Sequence, residues 1–189
     1  MKLNRRQFLG SAGGGLGVLG IPQTTIKTGN PELQDFAEDV EFDFEAKKII
    51  FPDYFEPDYE ASLGVPNPEE YIETNVGDCD DYATMIASVA EIQGYNTKLS
   101  AGILDYVYKG ERVTTSHMNA RMQERQRYIC DINRFETLMT SFELENQNSS
   151  EVEFYPIYIF ERGDLASAEI DSVLRLLDEN ADEIINYVL

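Results

Sequence analysis

Tryptophan is absent from the 189 residues, histidine occurs once, and there are two cysteines. Two cysteines cannot build a disulfide scaffold or a four-cysteine zinc site, and a single histidine leaves little to complete a mixed one. Positive charge is also scarce: 15 Lys and Arg stand against 35 Asp and Glu, a formal charge of −20. No basic block occurs beyond the first six residues. Nucleic acid and anionic membrane faces, which need clustered Lys and Arg, are therefore excluded as partners. What is present suffices for a buried core: 42% of residues are hydrophobic and 11% aromatic. The length fits one domain.

The chain begins MKLNRRQFLGSAGGGLGVLGI. A basic start with Lys2, Arg5 and Arg6 precedes an apolar, glycine-rich run of 14 residues from Phe8 to Ile21. That is short of the ~20 residues a membrane-spanning helix needs. The Arg-Arg-Gln-Phe-Leu string resembles a twin-arginine export signal. Residues 1–29 are thus expected to be a signal peptide and linker, with the twin-arginine export machinery as a partner. The mature chain would be extracellular or at the cell surface, meeting the membrane only through an uncleaved signal. The absence of cysteine before Cys79 excludes a lipid-modified cysteine at the cleavage point.

The acids are spread along the whole mature chain, and only six lysines accompany them. This resembles the surface of halophilic proteins. At about 1 M salt the Debye length is ~3 Å, so distant charges hardly interact. At low salt the same charges repel and loosen the fold.

Residues 30–189 read as one α+β domain, with a core at 67–162 and a C-terminal amphipathic helix at about 167–188. Asn30-Pro31-Glu32 and Asn67-Pro68-Glu69-Glu70 both carry helix-start grammar, with Asn as cap and Pro in the first helical position. Alternation at Val40, Phe42 and Phe44 predicts a short strand. Cys79, Ala83, Ile86 and Ala90 mark one face of a helix of about fourteen residues, ended by Gly94. Strands are predicted at Thr97 to Leu104, Tyr106 to Tyr108, Val113 to Met122, Arg127 to Ile132 and Pro156 to Phe160, with a turn at Lys109-Gly110-Glu111 and a loop at Glu143 to Glu153. Ile170, Leu174, Leu177, Ala181, Ile184 and Val188 form a stripe on one long terminal helix. The stripe can dock on the sheet or on a second copy of the chain, making a homo-oligomer.

The string GDCDDYATMIASVAEIQGY, Gly77 to Tyr95, puts Cys79 in the first turn of a helix. Unsatisfied amides and the helix dipole favour an anion there. A free thiol has a pKa of about 8.5, which a helix N-terminus and a cationic neighbour lower by one to several units. The neighbour would be His117, in VTTSHMNARM, where alternation puts His117, Asn119 and Arg121 on one face and Met118, Ala120 and Met122 on the other. In RQRYICDINRF, Tyr128, Cys130 and Ile132 share the apolar face and Asp131 the opposite one. Adjacent antiparallel strands can then present His117 and Asp131 side by side: nucleophile, base and orienter. Asp78, Asp80 and Asp81 crowd the sulfur, and Asp78 and Asp81 are expected to cap the helix rather than act in catalysis. A Cys79–Cys130 disulfide is the competing use of the two thiols, disfavoured because Cys130 faces away from Asp131.

The order of Cys79 in G-D-C-x-D-Y-A, His117 on one strand and Asp131 on the next resembles the transglutaminase-like superfamily over about Tyr71 to Phe135. The chain departs from the family at Met118-Asn119, where Ala-Trp is frequent, and at Ile132-Asn133, where Pro-Thr is frequent. The resemblance implies a papain-like α+β fold, in which the cysteine helix packs on an antiparallel sheet bearing the other two residues. It implies a thiol-dependent amide hydrolase or acyltransferase, a peptidase or amidase in the first instance. Cys79, His117 and Asp131 would be catalytic, the substrate a peptide or protein amide, and no cofactor or metal would be needed. The alternative is a catalytically inactive module of the same fold with a binding or structural role at the cell surface.

Overall fold

In a computed structural model of the chain, the described residues are 30–60, 67–132, 135–140, 152–161 and 167–188. The export-signal expectation and most of the Glu143 to Glu153 loop lie outside them. The mixed α+β class is observed. In chain order the elements are α1 (Pro31–Asp39), β1 (Glu41–Asp43), β2 (Lys48–Ile50), β3 (Asp58–Tyr59), α2 (Pro68–Thr74), β4 (Val76–Gly77) and α3 (Cys79–Ile92). Then come β5 (Asn96–Tyr108), β6 (Glu111–Gln123), β7 (Arg127–Cys130), β8 (Leu138–Thr140), β9 (Val152–Phe160), α4 (Ser167–Glu179) and α5 (Ala181–Val188).

Both Asn-Pro starts behave as read: Asn30 accepts from the Glu32 amide and Asn67 from the Glu70 amide. Five strands form one antiparallel sheet in the order β8-β7-β6-β5-β9. The β1–β2 hairpin continues onto its β8 edge through Ile49 N–H to Glu136 C=O and Leu138 N–H to Lys47 C=O, both 3.0 Å. That covers an edge that would otherwise present unpaired backbone groups.

Helix α3 packs against β5 and β6, with α1 and α2 against it in turn. It is buried all round from Tyr82 to Ala90, not along the single stripe of Cys79, Ala83, Ile86 and Ala90. The reason is its composition. Ala, Ser and Thr fill the positions between the larger side chains, and the hydroxyls of Thr84 and Ser88 bond back to Asp80 C=O and Thr84 C=O at 2.7 and 2.6 Å. No polar group is then left to demand solvent. A run of aromatic rings, Phe36, Phe55, Tyr71, Tyr82 and Phe135, links α1, α2 and α3, with successive centroids 4.8 to 6.3 Å apart. Tyr82 also donates to Phe135 C=O at 2.7 Å, which pins the first turn of α3.

Further details differ from the sequence reading, and β9 starts at Val152, four residues before the expected Pro156. The strand expected to break at Asp105 runs through it, because Arg112 on β6 donates to both Asp105 oxygens, from Nε at 2.8 and 3.0 Å. The strand expected to reach Ile132 ends at Cys130. The single terminal helix is two, divided at Asn180. There the Asn180 side chain donates to Leu176 C=O at 2.7 Å, and its own C=O accepts from Ile184 N–H at 3.0 Å. A side chain that competes with the helix ladder ends one helix and starts the next. The break rotates the buried stripe of α5 onto Ala181 and Ile185, leaving Ile184 half-buried. The first half of the terminal segment, α4, lies on β5 and β6, so it does dock on the sheet.

Gly102, directly opposite His117, sits where β9 is bulged. A Cβ there would lie 2.1 Å from Tyr155 O and 2.9 Å from Pro156 Cα, both backbone atoms. Gly102→Val is expected to lose at least about 3 kcal/mol in urea unfolding, the upper range for overpacking, since backbone cannot step aside as a side chain can. A loss under about 1 kcal/mol would contradict that packing.

Candidate active site

Cys79 is the first residue of α3 and is half-buried. Gly77 before it is required by close approach: a Cβ would meet the Tyr71 ring at 2.4 and 2.7 Å and Asp81 Oδ2 at 2.8 Å. Asp78 is the helix cap. It accepts from the Asp80 amide at 3.3 Å, and the Asp81 carboxylate accepts from the Asp78 amide at 3.3 Å, closing a reciprocal capping box. Asp81 also accepts from the Asn67 amide at 3.1 Å, tying α2 to the start of α3. Two of the three crowding acids are therefore held on backbone N–H groups, as their capping role requires. The third, Asp80, is buried, and burial, then its bond to Asp78 and the charges of Asp78 and Asp81, push its carboxyl up to about 9.

His117 is buried on β6, and its Nε2 lies 2.7 Å from Asp131 Oδ2, just past the end of β7. Pairing of Ala120 with Cys130 puts Cys130 on the Ala120 face and Asp131 on the His117 face, as strand alternation predicted. The Cys79 sulfur lies close enough to the same imidazole to help raise its pKa. With Nε2 engaged by Asp131, Nδ1 is the nitrogen left for sulfur. The structure thus brings Cys79, His117 and Asp131 together, from positions 38 and 14 residues apart. Phe154 of β9 packs edge-on against the imidazole at 5.7 Å.

Burial by itself disfavours a charged imidazole, but the Asp131 charge and hydrogen bond, joined by Cys79, outweigh it and raise His117 from 6.5 to about 10. His117 is therefore a cation at neutral pH. Its pairing stabilises the fold fully below pH 6.5, its unfolded value, and that contribution is lost as pH rises through about 10.

Cys130 is fully buried and its thiol is pushed upward, first by burial and then by the Asp131 charge. Both cysteines are free, so the disulfide does not form. Among the described residues, the ligand atoms of Asp78, Cys79 and Asp80 lie within 4.8 Å of one another. Asp78 is engaged there as the helix cap, and burial with the neighbouring acids raises the Asp80 carboxyl.

Tyr59 was not legible as part of this region. Strand β3 pairs in parallel with β4, placing Tyr59 opposite Gly77, two residues before the nucleophile position. The ring is 55% exposed. Its hydroxyl is raised by partial burial first, then by the charges of Cys79, Asp78, Tyr106 and Asp80, which marks Tyr59 as a neighbour of the sulfur. No local pattern announces a two-residue parallel pairing between segments seventeen residues apart.

Among the described residues no helix is long and apolar enough to cross a membrane. Comparison of the chain with protein-family profiles, with curated proteins and with solved structures found no match.

Proposed function

We propose that this chain is a thiol-dependent amide hydrolase of transglutaminase-like, papain-like type, acting on a peptide or protein amide outside the cell. The observation that carries the reading is the His117 imidazole 2.7 Å from Asp131, with the Cys79 sulfur, at a helix N-terminus, near enough to help raise its pKa.

The Asp131 carboxylate fixes the ring orientation and keeps the imidazolium charged beside the sulfur. Thiolate attacks the amide carbonyl carbon, and the carbonyl π electrons move to oxygen. The backbone N–H of Cys79, which has no intrahelical acceptor at the first helical position, is the donor placed for that oxyanion. Collapse of the tetrahedral species expels the amine, which takes the proton from His117 and leaves an acyl thioester on Cys79. The now neutral imidazole removes a proton from water, hydroxide attacks the thioester, and the acid leaves as sulfur and imidazole return to their charged forms. An amine in place of water would give transfer; hydrolysis is the expected outcome.

The test is turnover of peptide, glutamine-donor and cell-wall amide substrates by the purified chain in high salt, with Cys79→Ser beside it. At least one class should be hydrolysed, with a loss of roughly 1,000-fold or more in the variant, the scale seen when a catalytic nucleophile is removed. Equal turnover by the two proteins would overturn the reading.

A further inference from the structure

On the His117 face of the sheet, Asn119 and Ser100 are direct cross-strand partners on β6 and β5. Asn119 is 1% exposed and Ser100 fully buried, and Asn119 Nδ2, Asn119 Oδ1 and Ser100 Oγ all lack a hydrogen-bond partner. Almost every buried polar group in a folded protein is paired, so three adjacent orphans on neighbouring strands need an account. Their place supplies one. Asn119 lies two residues from His117 on the same face, about 7 Å along the strand. The last paired residues of β6 and β7, Ala120 and Cys130, are the chain neighbours of Asn119 and Asp131, so the two lie beside one end of that pairing.

We infer that Asn119 and Ser100 together hold one internal water molecule against the His117–Asp131 pair, and that Asn119 is thereby a positioning residue for the imidazole. The donor and acceptor inventory fits. A water accepts from Asn119 Nδ2, donates to Asn119 Oδ1 or Ser100 Oγ, and keeps a second proton for the Asp131 carboxylate, while the Ser100 hydroxyl can donate to the water in turn. A carboxylate held from behind keeps its other oxygen on His117 Nε2. Its catalytic consequence rests on the proposed hydrolase reading; its effect on the imidazole does not. Among the described residues, the titratable groups acting on His117 are Asp131, just past β7, and Cys79 at the start of α3, with Arg121 four residues along the same face of β6. β9 presents the uncharged Phe154, β5 has Gly102 opposite, and the α4 carboxylate of Asp178 is bound to Thr115 Oγ1 and the Ser116 amide, both at 3.1 Å.

The test follows the imidazole of His117 by NMR in the full chain, in Asn119→Leu, Asn119→Ser and Ser100→Ala. Asn119→Leu should lower the titration midpoint by about 1 unit or more, and lower kcat roughly tenfold with KM unchanged. Asn119→Ser, which restores a hydroxyl, should recover more than half of both effects. If the leucine variant fails to fold, Ser100→Ala, which removes one water ligand, should still lower the midpoint by about half a unit. An unmoved midpoint in a folded Asn119→Leu or Ser100→Ala protein overturns the inference. Full turnover by Cys79→Ser would sink the hydrolase reading alone, because the midpoint shift is read without turnover.

Discussion

Replacing His117 with alanine is expected to slow alkylation of Cys79 by iodoacetamide at pH 7 by at least about 100-fold, the lower end of what a positioned proton-transfer partner contributes. The variant removes the cation beside the sulfur: His117 is raised to about 10 and is charged at pH 7. What remains beside Cys79 is the helix N-terminus, worth about 0.3 to 1 kcal/mol at an exposed site, together with the Asp78 and Asp81 carboxylates. That remainder cannot replace an adjacent imidazolium. Cys130 provides the internal control, since a fully buried thiol pushed upward by its surroundings should not react in the folded protein. Mass spectrometry of the alkylated chain separates the two sites. Equal labelling rates in the wild type and His117→Ala would point to the inactive binding module instead.

The second large effect concerns salt. A formal charge of −20 on 189 residues gives strong self-repulsion wherever screening is weak. Glu32, Asp35, Glu38 and Asp39 of α1 and Asp178, Glu179, Asp182 and Glu183 near the C-terminus are all exposed. Surface ion pairs such as Lys98 with Glu161 at 3.8 Å and Arg175 with Asp171 at 2.9 Å offset single acids elsewhere. Raising salt from about 0.01 to 1 M shortens the screening length from ~30 to ~3 Å. If that repulsion costs about 4 kcal/mol, Tm falls by roughly 8 to 16 °C at low salt, given about 2 to 4 °C per kcal/mol for a chain of this size. Calorimetry across potassium chloride concentrations checks it. A Tm that is unchanged or higher at low salt would contradict the halophilic reading of the surface.

The parts of the fold that were legible in the sequence are those fixed by local chemistry. Asn30, Asn67 and Asp78 cap their helices because short polar side chains satisfy free amides, and the fourteen-residue span of α3 follows its periodicity to Gly94, whose φ is 85°. Strand alternation alone put His117 and Asp131 on one face, and the register agrees. Non-local contacts overrode the rest. Asp105 reads as a strand breaker until Arg112, seven residues on, neutralises it. One stripe on α3 reads as an amphipathic helix until α1 and α2 cover its outer side. Asn180 lies within an unbroken apolar repeat, and only its side-chain bond to Leu176 C=O shows the break. Asn119 is an ordinary strand residue in the sequence; its significance comes from Ser100 across the sheet and the burial of both.

The most direct measurement of whether sulfur, imidazole and carboxylate act as one unit is the NMR titration of His117, which as the sole histidine gives one imidazole signal set. The account predicts a midpoint of about 10 in the folded protein. It predicts a midpoint at or below 6.5 in Asp131→Asn, where burial is opposed by Cys79 alone. A wild-type midpoint at or below 6.5, unmoved by Asp131→Asn, would contradict it.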